Sequence, residues 1–205
     1  MADTVESLER LRMLYGQPSE RARLKELKTL DKHCRHFISL SPFVVVASAG
    51  ANGRLDCSPR GDAPGFVRVL DNHTVLLPDR RGNNRVDTLS NIVEHPQVGL
   101  LFFIPGVEET LRLNGRAEVV LDDDLLAPST VNDRAPRSGL KIAIEEVFLQ
   151  CSKALVRSRL WDAEAQIERR SFPSLGQILA DQIANTEDPE EIDRQLEVNK
   201  KESLY

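Results

Sequence analysis

Apolar residues at helical spacing open the chain. Leu8, Leu11, Leu14 and Tyr15 form one stripe, and Leu24, Leu27, Leu30, Cys34, Phe37 and Ile38 form a second that runs toward Pro42. This spacing predicts helix over the first 40 residues, closed at Pro42. The period then changes. Residues 43–47 are a compact β-branched run, and Ala49-Gly50-Ala51-Asn52-Gly53 supplies a turn into a second strand, so a hairpin is expected. Two further strands are expected at 66–70 and 74–77 around Asp71-Asn72-His73. Between residues 84 and 94, Val86, Leu89 and Val93 share a helical face, with Asn84 as N-cap, Asp87 in the first turn and His95-Pro96 at the end. Residues 98–104 and 110–121 read as strands joined through Pro105-Gly106-Val107-Glu108, and 141–149 as a late strand. Residues 174–183 and 189–198 return to amphipathic helix. The pattern predicts an α+β fold, mainly an antiparallel sheet of six or seven strands with helices at both ends.

Composition narrows this picture. A chain of 205 residues with 40% hydrophobic and 29% charged residues suits one well-cored domain. Its expected parts are a helical extension over 1–41, a barrel core over 42–160 and a second helical extension over 161–205. No apolar run approaches the roughly 20 residues that span a bilayer, and Asp3, Glu6 and Glu9 precede any basic residue, so neither a membrane role nor a secretory signal is expected and a cytoplasmic location is. Three widely spaced cysteines, Cys34, Cys57 and Cys151, argue against a disulfide framework and read as packed, reduced thiols. A net charge of −5 disfavours nucleic-acid binding, which relies on basic surface.

Against that acidic background, Pro78-Asp79-Arg80-Arg81-Gly82-Asn83-Asn84-Arg85 concentrates arginine where a strand ends and a helix begins. A helix N-terminus offers unpaired N–H groups and a partial positive charge, glycine permits close backbone approach, and guanidinium matches phosphate oxygens. The alternative is a solvated charged turn. Asp56-Cys57-Ser58-Pro59-Arg60-Gly61-Asp62 places another arginine and a hydroxyl at a strand end, where loops on a rigid sheet often meet ligands. His33-Cys34-Arg35-His36 offers two or three metal ligands with no second cluster to complete a tetrahedral site, so no metal is expected.

Several stretches in order carry a family resemblance: Ser58 to Asp62, Gly65-Phe66-Val67, Pro78 to Arg85, then Asn91-Ile92-Val93-Glu94-His95-Pro96-Gln97-Val98-Gly99-Leu100-Leu101-Phe102, and Glu109-Thr110-Leu111-Arg112-Leu113-Asn114-Gly115-Arg116-Ala117. Across residues 43–121 the chain resembles the pyridoxamine 5′-phosphate oxidase-like family of FMN-binding split β-barrels. The resemblance implies a homodimer with FMN at its interface. It puts Ser58, Pro59, Arg60 and Gly61 along the flavin ring and ribityl chain, Asp79 at the ring system, and Asn83, Asn84 and Arg85 on the phosphate. Asn84 replaces a frequent arginine, whose charge Arg60 or Arg81 then supplies. Thr110 falls where many members use a glutamine of the partner subunit, and Arg157 and Trp161 where the family builds a C-terminal wall over the flavin. Trp161 alternatively packs in a dimer core. True pyridoxamine phosphate oxidases carry a C-terminal Arg-x-His that grips the vitamer, and no Arg-x-His occurs here.

The resulting expectation is an FMN-dependent oxidoreductase acting on a small, anionic molecule, with NADH or NADPH as electron donor. Two rivals share the barrel: a flavin- or haem-binding sensor or carrier without turnover, and a deazaflavin-dependent reductase. Residues 101–113 and 151–161 are expected at the dimer interface.

Overall fold

A computed structural model describes residues 4–183 and 187–205. Seven antiparallel strands form one sheet in the order β2-β1-β5-β6-β7-β4-β3. They are β1 (Phe43–Ala49), β2 (Leu55–Gly61), β3 (Arg68–Val69), β4 (Thr74–Pro78), β5 (Gln97–Phe103), β6 (Thr110–Val120) and β7 (Gly139–Gln150). Period-two alternation decides which face is inside: Val44 and Val46 of β1, Leu100 and Phe102 of β5, and Leu111 and Leu113 of β6 are all at most 1% exposed. With Val75, Leu77, Ile142 and Val147 they form one continuous core. The fold is the expected split β-barrel of the α+β class.

The helices differ more from the sequence reading. The first 40 residues hold α1 (Leu8–Tyr15), α2 (Glu20–Leu24) and α3 (Lys32–Leu40) rather than two long helices. The stripe beginning at Leu24 is broken because Leu27 forms a β-bridge with Val147, exchanging backbone hydrogen bonds of 3.0 and 2.8 Å with it. Helix resumes only at Asp31, whose carboxylate accepts from the Cys34 N–H at 2.8 Å as an N-cap. Cys34, Phe37 and Ile38 face the core, and burial pushes the Cys34 thiol up to about 12. His33 and His36 are exposed on the other side of α3, so Cys34 and the histidines do not converge. Cys57 and Cys151, expected to be packed, are exposed. The strand expected over 66–70 shrinks to Arg68–Val69, because Phe66 and Val67 are spent on the core instead.

Beyond the sheet lie α4 (Asp87–Glu94), the short α5 (Asp123–Leu126), α6 (Lys153–Ser158) and the pair α7 (Leu175–Ile183) and α8 (Pro189–Glu202). The last two are joined where Asp193 accepts from the Gly176 N–H at 2.8 Å. Among the described residues no helix is long and apolar enough to cross a membrane.

Curvature comes from β6 and β7, the longest strands, which connect the two halves of the sheet. Asn114 pairs with Glu146 but Gly115 pairs with Ile144, so Glu145 is passed over and the ladder bulges. A Cβ at Gly115 would lie 2.1 Å from the Ala143 carbonyl oxygen, a contact that backbone on both sides prevents from relaxing. Only glycine fits that crossing. We therefore expect Gly115→Ala to destabilise the protein by about 1–3 kcal/mol or more, as overpacking does. A lowered denaturant midpoint checks this, whereas an unchanged midpoint would show that the bulge does not require glycine.

Candidate functional site

The curled sheet brings its two extremes together. β2 is one edge, and β4 lies one strand in from the other, yet the chain just past β2 meets the chain just past β4: Arg80 Nε donates to Asp62 Oδ2 at 2.7 Å. The Asp62 side chain is 3% exposed and that of Arg80 18%. Arg80 Nη1 also donates to the Ser129 carbonyl oxygen at 2.7 Å, which fixes the guanidinium from a second direction.

Beside this pair opens a cavity of about 810 Å³, within the size range of small-molecule sites. One wall is the end of β2, Pro59 to Gly61. The facing wall is the loop from Pro78 to Asn84, with Val86 and Leu89 beyond it. Arg134 and Arg137, on the segment leading into β7, extend the lining, and Leu204 and Tyr205 border it. Five arginines thus surround one cavity of a chain with net charge −5. An anionic ligand suits that field.

Arg60 is held rather than loose. Its Nη2 donates to Thr88 Oγ1 at 3.1 Å and its Nη1 to the Pro59 carbonyl oxygen at 2.9 Å. Thr88, 1% exposed on α4, donates in turn to Asp56, and the Ser58 hydroxyl donates to the other oxygen of that carboxylate at 2.8 Å. Asp56 and Thr88 therefore clamp β2 onto α4 and aim Arg60 into the cavity. Ser58 belongs to this clamp and does not line the cavity.

The loop before α4 corrects the expected helix start. Asn84 is not the N-cap: the helix begins at Asp87, preceded by Val86 in the left-handed region at φ 51° with no side-chain cap. Asn84 is also left-handed, at φ 58°. Both conformations are costly for side chains with a Cβ, most of all for β-branched valine. Between them, the Asn83 side chain accepts from the Arg85 N–H at 3.1 Å, which closes a turn in the same loop. Arg85 is not in the first turn. Its Nε donates to Asp87 at 2.8 Å on the exposed surface, outside the cavity lining. A Cβ on Gly82 would meet nothing within 4 Å, so protein packing does not demand glycine there.

Three other expected site residues lie elsewhere. β7 starts at Gly139, paired with Pro78 beside the cavity, and ends at Gln150, paired with Thr110, up to about 36 Å away at the usual rise of a strand. Thr110 is 4% exposed, and its hydroxyl is bonded to Gln150 Oε1 at 3.2 Å. Arg157 is exposed on α6 at the same far end, and Trp161 donates from Nε1 to the Val107 carbonyl oxygen at 2.8 Å. Within one chain none of the three lines the cavity. The sequence reading missed Arg134, Arg137, Leu204, Tyr205 and Thr88, none of which sits in a stretch that signals a ligand, and it missed the role of Asp56, which opens the stretch before Ser58 but acts through Thr88 on α4.

Asp79 is the acidic residue in the cavity lining. Its backbone is fixed by an N–H bond to the Ser138 carbonyl oxygen at 2.9 Å, while burial pushes its carboxyl above the usual aspartate value and the positive charge of Arg60 pulls partly back. Folding therefore favours protonated Asp79, and the wild type loses stability as pH rises from below the unfolded aspartate value through the raised one. Relative to wild type, Asp79→Asn is expected to gain stability in that window and keep the gain at neutral pH, with no advantage at pH 3. Denaturant midpoints at several pH values test the sign; a difference independent of pH would show that Asp79 is not desolvated.

The pyridoxamine 5′-phosphate oxidase family matches residues 30–151. Among solved structures the chain is similar to HupZ of Group A Streptococcus, with 17% identity, a TM-score of 0.49, and 58% of this chain and 93% of that one covered. A putative pyridoxamine 5′-phosphate oxidase from Lactobacillus delbrueckii is 23% identical with a TM-score of 0.49, covering 60% of this chain and 98% of that one. An F420 reductase is 12% identical with a TM-score of 0.43, covering 59% and 98%. No curated protein matches. The family match takes in more than half of the chain, including every strand of the barrel and all but the C-terminal border of the cavity, and the chain belongs to the pyridoxamine 5′-phosphate oxidase family, whose members include oxidoreductases.

Proposed function

We propose that the protein is an FMN-dependent oxidoreductase acting on a small anionic substrate. The observation that carries this reading is the pair of facing walls: Arg60 on β2 opposite the Asp79 to Asn84 loop, which leads into a helix that opens without a side-chain cap. Uncapped N–H groups and an adjacent guanidinium are what a phosphate monoester requires. In this reading Arg81, Asn83, Asn84 and the start of α4 hold the phosphate. The Pro59 to Gly61 backbone lies along the ribityl chain and ring, and Asp79 meets the ring system. FMN, when bound, supplies hydride or electron transfer, with NADH or NADPH as donor. The chain's own residues bind, orient and exclude water, and the arginines left over, Arg134 and Arg137, attract the substrate.

The reading includes a homodimer. Thr110, Arg157 and Trp161 lie at the end of β7 remote from the cavity of their own chain, so in this reading their place beside the flavin is filled from a partner subunit. Val156 and Leu160, about half exposed on either side of Arg157, supply apolar surface for that contact. Sedimentation should give a dimer that carries two flavins. A monomer that retains FMN defeats this part.

The visible spectrum of the purified protein tests the cofactor, since flavin, deazaflavin and haem absorb differently, and bleaching by NADH or NADPH followed by reoxidation tests turnover. For the phosphate, Arg81→Ala should weaken FMN by about ten- to a hundredfold, the worth of a hydrogen bond to a charged group. Riboflavin affinity should barely change. Equal losses for both flavins, or none, would remove the phosphate from this loop.

A further inference from the structure

The chain returns to its own cavity after α8. Leu204 and Tyr205 border the space between Arg60, Arg81 and Arg134. The Tyr205 hydroxyl donates to Asp62 Oδ1 at 3.0 Å, on the carboxylate whose other oxygen takes Arg80. The Arg80 guanidinium lies 5.9 Å from the Tyr205 ring centroid, and Arg134 Nη1 donates to the Tyr205 backbone oxygen. Two contacts on its side chain and one on its backbone thus fix Tyr205 at the cavity edge. The helix that delivers it is thinly anchored, for Ile192 is the residue of α8 that is buried.

We propose that residues 203–205 form a strap that belongs to the binding site, with Tyr205 and Leu204 in contact with the bound ligand and setting how fast it leaves. This rests on the flavin reading for the identity of the ligand, but the placement of the strap does not. The chemistry fits a flat anionic molecule. The Tyr205 ring is oriented by its hydroxyl on a nearly buried carboxylate, so it is presented to the cavity without the freedom of a surface tyrosine. Leu204 is 61% exposed at the same edge, and a ring lying in the cavity would cover it. The polar anchors are individually weak enough to open and close without unfolding the barrel.

The test uses the full chain loaded with FMN and follows recovery of flavin fluorescence on dilution. Tyr205→Phe keeps the ring and removes the bond to Asp62, and should speed release roughly two- to tenfold. The double variant Leu204→Gly, Tyr205→Gly should speed it more, with a weaker affinity to match. Unchanged release, or a double variant that binds faster and more tightly because the strap was an obstacle, overturns the proposal. A second readout is independent of flavin. The chain has two tyrosines, so 3-fluorotyrosine labelling gives two fluorine resonances, with Tyr15 79% exposed on α1 as the internal reference. Pyrophosphate, as a probe for the arginine-lined cavity, should move the Tyr205 resonance and leave that of Tyr15 in place. If the protein takes up no FMN, the flavin reading falls, and the strap stands or falls on whether pyrophosphate moves Tyr205.

Discussion

The Asp62 to Arg80 ion pair is the contact on which the site depends. An open sheet has two edges, and nothing in the ladder joins β2 to the β4 end of this one. The pair spans the split instead, and Asp62 is satisfied from three directions: Arg80 Nε, the Ala63 N–H at 2.7 Å and the Tyr205 hydroxyl. A charge so enclosed is costly to leave alone, and losing one partner of a buried pair typically costs about 3–5 kcal/mol. The pair is thus weak evidence of net stability but strong evidence of specified geometry. It fixes the distance between the wall that carries Arg60 and the wall that carries Asp79.

That geometry explains how an acidic protein keeps a basic cavity. Most of the other ion pairs, such as Lys141 with Glu118 and Arg194 with Glu191, lie on exposed surface and contribute little. Around the cavity the acids are already committed. Asp62 is engaged by Arg80, and Asp56 accepts from Ser58 and Thr88 rather than from Arg60. Asp79 is half-buried with its carboxyl disfavoured as an anion. Among the described residues, Arg60, Arg81 and Arg137 therefore face the cavity without a carboxylate bonded to any of them, and the local field is positive although the whole chain is not.

The strands were legible because burial on one face writes a period of two into Val44, Val46, Leu100, Phe102, Leu111 and Leu113. The loop that lines the cavity was legible as composition: arginine, glycine and asparagine at a strand end. Its conformation was not, because Val86 adopts a left-handed φ that local preference opposes, and tertiary structure overrode the preference. Arg85, which the resemblance put on the phosphate, turns instead to Asp87. Leu24 and Leu27 continued a helical stripe in sequence, yet the backbone of Leu27 was claimed by Val147, 120 positions away. Arg134 and Tyr205 carry no local signal at all; long-range folding alone brings them to the cavity.

A site divided between two parts of a curled sheet has a thermodynamic consequence. The walls come from β2, the loop after β4, the segment before β7 and the strap after α8, and they meet only when the sheet is curled and the split is closed. A ligand that touches Arg60 and the Asp79 to Asn84 loop together joins the same two extremes that Asp62 and Arg80 join. Binding then stabilises the closed barrel by mass action, since the open or unfolded chain offers no such pair of walls. The left-handed residues Asn84 and Val86 belong to the same balance: their cost is borne by the folded chain, and in the proposed reading an anion at the uncapped start of α4 would offset it. In the proposed reading, closure of the split thus couples stability to ligand affinity.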